Sequence, residues 1–562
     1  MKQGKKKDFI CLFAIILLFV LLRLPTLYEP FGRDQGIFAT IASGLLEGKI
    51  PYRDLWDHKP PGIYFLYALV FKLLGREMRS IPLFDGLYTI FSILLLFTLA
   101  KELFDRRSAY LSTIIFTVLS SGIFFVGWWG RGQPEVFMLL PILGVVYLLK
   151  PVAGKEKSLF SFLFAGILGG IALSLKTTIF PLIFLWSFFL LIEDGMSMRG
   201  MKRGMVKILL FSSGVIVALL PFLTFFWMNN AWGDFIYSNV TFNLTAHTNR
   251  PYDFDLLMKF KGNFETIGTR IHFLWLTIIL LALYGFVRVT RVEKKKRTLL
   301  IVWIVGTILS ICMGWWLFYY HFIILIPPLA VFTSYGFFQL FDHLPSQRSN
   351  MYQIARNLMI SVLTLFLLME FLLAYYCSYV STGIIPALIG MKKVNAEEIY
   401  SRYRVQEYTI TDFSLREDYR LSQYLRTHTR KEEKIFIWGW ESLVYFLSER
   451  APASRFIFIY PLIQRNNDIM KHVRPIFLEN LRKGVPKYFV VVKNDQNPID
   501  RIGSEKQLSS FPEVVNFLER FYYKENETER FLLYRRSNEN TNKGSHKSSE
   551  GVLVRLEEMT YL

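Results

Sequence analysis

Residues 9–27, FICLFAIILLFVLLRLPTL, contain a single charged side chain, and further apolar stretches follow at 81–100, 109–127, 134–149, 159–175, 178–192, 208–228, 271–287, 299–317, 322–340 and 358–377. A helix of about 20 apolar residues has the length that crosses a bilayer, and a soluble fold has no core large enough for so many. The expected fold is therefore an α-helical polytopic membrane protein with about eleven transmembrane helices. Composition agrees: 52% of residues are hydrophobic, 17% are aromatic and the mean hydropathy is +0.31, against about 45–50% apolar residues in soluble chains. The first stretch follows Lys5-Lys6-Lys7 but is long for a secretory signal and lacks a small-residue cleavage site, so it counts as the first span.

The net charge of +20 has a topological explanation and calls for a bilayer, not nucleic acid, as partner. Lys and Arg collect in connections that stay on the cytoplasmic side. With the N-terminus cytoplasmic, connections 101–107, 150–157, 199–207, 288–297 and 342–356 are all basic, and 28–80, 128–134, 229–270 and 318–321 face outward. This places the chain in a bacterial-type inner or plasma membrane. Cys11, Cys312 and Cys377 lie in or beside apolar stretches and imply neither a disulfide framework nor a metal cluster.

Three regions follow: a transmembrane part over 1–377, an extracytoplasmic α/β domain over 378–535, and a low-complexity tail over 536–562. In the second, KIFIWGW, RFIFIYP, PKYFVVVKN and ERFLLYRRS have the composition of strands separated by helices, which predicts a largely parallel sheet.

The chemistry concentrates in the first outer loop, 28–80, which is too polar for lipid. Asp34 precedes GIFATIASGLLEG, a predicted surface helix stopped by Gly48; it suits a helix cap and a general base equally well. Arg33 flanks it. Asp57, His58 and Lys59 precede Pro60-Pro61, which opens a further apolar run. Lys59 suits an anionic phosphate or snorkelling to headgroups, and His58 suits phosphate or a metal. GRGQPE supplies Arg131 and Glu135, which either pair with each other or hold a substrate or metal. Lys176 interrupts LSLKTT at an outer turn, and Tyr320 and His321 stand in YYHFIILIPPL. No Gly-rich nucleotide loop, HExxH or nucleophile elbow is present.

Taken in order, GRDQGIFATIASGLLEG, DHKPPGIYFLYAL, GRGQPE, LSLKTT and YYHFIILIPPLA resemble the C-type (GT-C) membrane glycosyltransferases, in particular the protein O-mannosyltransferase and lipid A aminoarabinose transferase group. The resemblance covers about residues 8–377. It implies a polyprenyl-phosphate sugar donor, an extracytoplasmic acceptor, inversion at the sugar carbon, Asp34 as catalytic base, and Lys59, Lys176 and Arg131 as donor-phosphate contacts. The chain departs from the group at Gln35, where many relatives carry Glu, and at His58, where the aminoarabinose transferases carry an acid. No cofactor is implied with certainty, and a divalent metal stays open. Two other readings compete: an oligosaccharyltransferase or polymerase using a polyprenyl-diphosphate glycan, and a transporter or flippase. The charges gather at the outer rim and no internal repeat is evident, against the midplane sites of transporters.

Overall fold

The computed structural model describes residues 2–121, 127–152, 157–248, 272–314, 317–342, 396–401, 404–406, 412–464, 466–495 and 502–537, with isolated helical residues between 354 and 384. The described residues contain six helices long and apolar enough to cross a membrane: Lys5–Tyr28, Ser80–Leu103, Met198–Met228, Leu274–Arg291, Lys294–Met313 and Tyr319–Leu340. Four shorter apolar helices accompany them, Gly62–Leu74, Pro134–Leu149, Leu159–Leu175 and Thr177–Ile192. Expected spans 134–149, 159–175 and 178–192 are thus helical, but a helix of 16 residues is only about 24 Å long, short of a roughly 30 Å hydrocarbon core unless its ends dip. The expected span at 109–127 is the helix Arg106–Ser121, rich in Ser and Thr. The span at 358–377 and the tail lie almost wholly outside the described residues.

Helix α1 (Lys2–Arg23) leads into a short 3-10 turn and then into α2 (Arg33–Leu46) and α3 (Gly62–Leu74), with α4 (Ser80–Leu103) and α5 (Arg106–Ser121) following. Basic connections meet acids at one end of this bundle. Asp8 takes Lys101 at 2.6 Å and Arg106 at 3.0 Å, Arg107 reaches Asp342 at 3.1 Å, Lys150 reaches Glu102 at 2.8 Å, and Asp194 binds both Lys207 and Lys295. The loop 28–61 and the C-terminal part occupy the opposite end.

Two features of that loop differ from the sequence reading. Gly32, not Asp34, caps α2, and the Gln35 side chain reaches back to accept the Gly32 N–H at 3.1 Å, the second half of a capping box. The helix is also no surface helix. It is buried from Gln35 to Gly44 between α3 and the C-terminal part, and its Gly36 abuts the backbone of Leu443. The stop at Gly48, φ +84°, is as expected.

The C-terminal part holds a small antiparallel pair, β1 (Arg404–Gln406) with β2 (Asp412–Ser414), and a four-stranded sheet of β3 (Ile435–Trp438), β4 (Tyr488–Val492), β5 (Tyr522–Glu527) and β6 (Phe531–Arg536) in the order β3-β4-β6-β5. Only β3 and β4 run parallel; β4–β6 and β6–β5 are antiparallel, so the sheet is mixed and not largely parallel. RFIFIYP is not a strand of it. Those residues are buried because they lie on the first loop, where the Trp56 N–H donates to Arg455 O at 2.7 Å and Trp56 forms a single bridge with Phe456. Strand β5, YYKENE, escaped the sequence pattern because it is a polar edge strand with only Tyr522 buried.

Candidate active site

The site forms where four helix ends converge. Asp34 sits in the first turn of α2, where a helix N-terminus favours a carboxylate. Pro60-Pro61 ends the loop and starts α3, leaving Lys59 beside Asp34. Pro134 opens the next apolar helix, with Gln133 just before it and Glu135 in its first turn. Lys176 occupies the break after Leu159–Leu175, and Tyr320 and His321 lie in the 3-10 turn Tyr319–Leu325.

Three donors surround the Asp34 carboxylate. Lys59 Nζ is 3.3 Å from Oδ1, and Gln133 Nε2 and the Tyr320 hydroxyl donate to Oδ2 at 3.2 and 3.0 Å. Burial alone would raise the Asp34 pKa, but the Lys59 charge and the Tyr320 hydrogen bond outweigh it and hold the pKa below the ordinary carboxylate value. Lys59 is correspondingly raised: burial opposes its charge, and Asp34 and Asp57 restore it. On the far side of Tyr320, whose ring lies 5.6 Å from Lys176 Nζ, Lys176 is ion-paired with Glu135, and His321 Nε2 is 3.8 Å from the same carboxylate. Glu135, Lys176 and His321 line a small cavity together with Met138, Ser310 and Ile324.

Exposure separates the residues that reach the opening from those that build it. The side chains of Asp34, Lys59 and Lys176 are 18, 21 and 19% exposed, whereas Asp57 is at 0% and Glu135 at 2%. Asp57 is a scaffold group rather than a contact at the opening. It accepts the Tyr64 hydroxyl at 2.7 Å and the His58 backbone N–H at 2.7 Å; burial would raise its pKa, but the Lys59 charge, the His58 side chain and the Tyr64 hydroxyl hold it well below the usual range. His58, half-buried, has Nδ1 3.0 Å from the same carboxylate.

Two expectations are corrected. Arg131 pairs neither with Glu135 nor with the Asp34 group; it is locked against Glu29 at 3.0 Å and against the carbonyls of Ser120 and Ser121, with both charged side chains buried. Glu29 is held in turn by the Tyr379 hydroxyl at 2.6 Å. Arg33 meets Glu441 of the C-terminal part at 2.5 Å. Both arginines secure the walls.

The departure at Gln35 has a local cause. Its amide Nε2 donates to Trp129 O at 2.6 Å and Arg131 O at 2.7 Å, and so ties α2 to the loop before Gln133. A carboxylate at this position would face two carbonyl oxygens. The residues also fit a divalent metal poorly, because the Asp34 oxygens already take an ammonium, an amide and a hydroxyl. Among the described residues no group of three or more His, Cys, Asp or Glu side chains is placed to hold a metal ion. Sequence reasoning missed Gln133, a neutral amide with no charge signature, and Glu441, an acid set in the apolar run IFIWGWESLVYF.

Comparison with known proteins adds the family context. Residues 58–227 match the family model of dolichyl-phosphate-mannose-protein mannosyltransferase. No curated protein sequence matches the chain. Among solved structures, the chain is similar to ArnT from Cupriavidus metallidurans bound to undecaprenyl phosphate, with TM-score 0.55, 12% identity and coverage of 93% of this chain and 97% of that one. The apo form of ArnT gives TM-score 0.53, 12% identity and coverage of 94% and 98%. The archaeal oligosaccharyltransferase AglB from Archaeoglobus fulgidus, in complex with an inhibitory peptide and a dolichol-phosphate, gives TM-score 0.50, 12% identity and coverage of 87% and 70%. The chain thus shares the fold of ArnT and AglB, and residues 58–227 are similar to the dolichyl-phosphate-mannose-protein mannosyltransferase family.

Proposed function

We propose that the protein is a membrane glycosyltransferase that moves a sugar from a polyprenyl-phosphate donor to an acceptor hydroxyl on the extracytoplasmic side, with inversion. The observation that carries this reading is the half-open Asp34–Lys59 pair, with Lys176 across the Tyr320 ring. Support comes from the family model and from GT-C structures bound to undecaprenyl phosphate and dolichol-phosphate.

In this mechanism the donor phosphate lies between Lys59 and Lys176, whose ammonium groups balance the charge that builds on it. The acceptor oxygen forms a bond to the anomeric carbon, the bond from that carbon to the phosphate oxygen breaks, and the polyprenyl phosphate leaves with the electron pair. The hydroxyl proton passes to Asp34. Without donor, Lys59 holds the Asp34 pKa down, which makes a weak base. An anionic phosphate draws Lys59 toward itself and adds negative charge nearby; both effects raise the proton affinity of Asp34. Base strength is thereby coupled to donor binding. No step runs through a metal.

The test compares wild type with Asp34→Asn in detergent, using a radiolabelled polyprenyl-phosphate hexose and host membrane extract. Transfer that falls on the order of 10²-fold or more in the variant is the expected result. Equal transfer removes Asp34 from the mechanism, and consumption of a diphosphate-linked glycan by the wild type instead favours the oligosaccharyltransferase reading.

A further inference from the structure

The turn at residues 131–132 delivers Gln133 to Asp34, and side chains from two other helices hold both backbone polar groups of Gly132. The Gly132 N–H donates to Asp85 Oδ2 on α4 at 3.0 Å, and the Gly132 carbonyl accepts the Tyr67 hydroxyl on α3 at 2.9 Å. That carbonyl belongs to the peptide bond that leads into Gln133. Asp85 Oδ1 pairs with Arg23 of α1 at 2.7 Å, with both side chains buried. Gly132 itself has φ +65°, and a Cβ there would stand 2.5 Å from the Tyr67 oxygen and 2.5 Å from Ile81. Glycine is what lets the turn lie this close to Tyr67.

A buried turn needs partners for its N–H and C=O groups, and any two partners would meet that need. The placement of these two goes further. Gln133 is fully buried, and its Nε2 donates to Asp34 Oδ2 at 3.2 Å and to Trp129 O at 3.2 Å. At that length the bond to Asp34 lies at the long end of the N–H···O range, so a small backbone shift breaks it. The Tyr67 ring also packs edge-on to Phe38, one helical turn after Asp34, with centroids 5.6 Å apart. Tyr67 thus touches the Asp34 helix with its ring and the turn before Gln133 with its hydroxyl.

We propose that Tyr67 and Asp85 are positioning residues for the transfer reaction: they hold the Gly132 turn so that the Gln133 amide stays on the Asp34 carboxylate. This rests on the glycosyltransferase reading with Asp34 as base, and it adds residues of α3 and α4 that act through Gln133. A hydrogen bond to an ionised carboxyl favours the ionised form. Loss of the Gln133 bond leaves Oδ2 with the Tyr320 hydroxyl and raises the proton affinity of Asp34. The charged and titratable groups that face this carboxyl, Lys59, Asp57 and Tyr320, stay as they are.

The first readout needs no substrate. A carbodiimide adds to protonated carboxyls, so its adduct on Asp34, located by mass spectrometry, follows the proton occupancy of that side chain. The full chain in detergent is labelled from about pH 3 to 6, which separates a change in access from a change in proton affinity. Tyr67→Phe keeps the ring and its packing, and melting temperatures confirm that each variant folds. At about pH 5, Tyr67→Phe and Gln133→Leu are each expected to label Asp34 roughly three- to tenfold faster than wild type. The double variant is expected to go no further than Gln133→Leu. An unchanged rate in Tyr67→Phe, or a double variant that multiplies the two effects, overturns the proposal. Asp85→Asn keeps an oxygen for the Gly132 N–H and is expected to label more like wild type than Asp85→Leu; the reverse order overturns the part given to Asp85. In the transfer assay, kcat of Tyr67→Phe is expected to fall about tenfold with both KM values unchanged, because an unsteered carboxylate faces the acceptor hydroxyl less often. Transfer lost in Asp34→Asn but kept in full by Tyr67→Phe overturns the positioning role and leaves the glycosyltransferase reading standing. Transfer kept by Asp34→Asn overturns the base reading, and the role in transfer with it, whatever the labelling shows.

Discussion

Arg33 and Glu441 meet at 2.5 Å across 408 residues of sequence, with both side chains buried. The contact fastens the C-terminal part to the residue beside Asp34. Breaking one side of a buried pair costs about 3–5 kcal/mol, because the remaining charge stays out of water. Glu441→Ala is expected to lower thermal stability by an amount in that range and to reduce transfer. A melting curve unchanged from wild type would show that the contact contributes nothing.

Arg131 and Lys59 are both conspicuous cations of the sequence, and their variants should fail differently. Arg131→Met removes the buried partner of Glu29 and is expected to destabilise the fold by roughly 3 kcal/mol. Lys59→Met, on a half-open side chain, is expected to lose less stability than Arg131→Met and to raise the donor KM at least tenfold. Melting and steady-state transfer on the two variants, run side by side, check this division.

Gln35→Glu replaces a donor of two hydrogen bonds by an acceptor facing the carbonyls of Trp129 and Arg131. Loss of satisfied buried groups of this kind costs about 1–3 kcal/mol. The variant is expected to melt lower than Gln35→Met, which loses the same bonds without adding charge; the reverse order would contradict the hydrogen-bond assignment.

Acid should act on the two parts of the molecule in opposite directions. Asp34 and Asp57 titrate below their ordinary values, so the stability they add is present above about pH 4 and is lost only as pH falls through their lower folded values. In the C-terminal part burial and Glu441 raise Asp418, and burial likewise pushes Asp495 up to about 6. A raised carboxyl binds its proton more tightly when folded, so its contribution is full below about pH 4 and declines as pH climbs to the folded value. Asp418→Asn is therefore expected to raise the melting temperature at pH 7.5 and to weaken the gain seen on moving to pH 5. Identical pH profiles for variant and wild type would contradict the assignment.

The membrane-like architecture and the pieces of the site were legible because each polar candidate interrupts or borders an apolar run. Asp34, Lys59, Lys176 and Tyr320 stand at helix ends, and helix ends are visible in sequence. What was not legible is who pairs with whom. Arg131 and Glu135 are close in sequence, yet each takes a partner from elsewhere, Glu29 and Lys176. Helix α3 hides within the outer loop because its 13 residues fall short of a span. RFIFIYP read as a strand since burial under another segment leaves the same apolar signature as burial in a sheet.

Helix α2 belongs to the beginning of the chain, but the surface that covers it at Gly36 is supplied by Leu443. During synthesis the helix therefore emerges from the ribosome about 400 residues before its lid exists. Through that interval its apolar face must be sheltered by lipid, by the insertion machinery or by a chaperone. A nascent chain arrested before residue 440 would lack the surface that covers α2 at Gly36, even with Asp34, Lys59 and Lys176 already made.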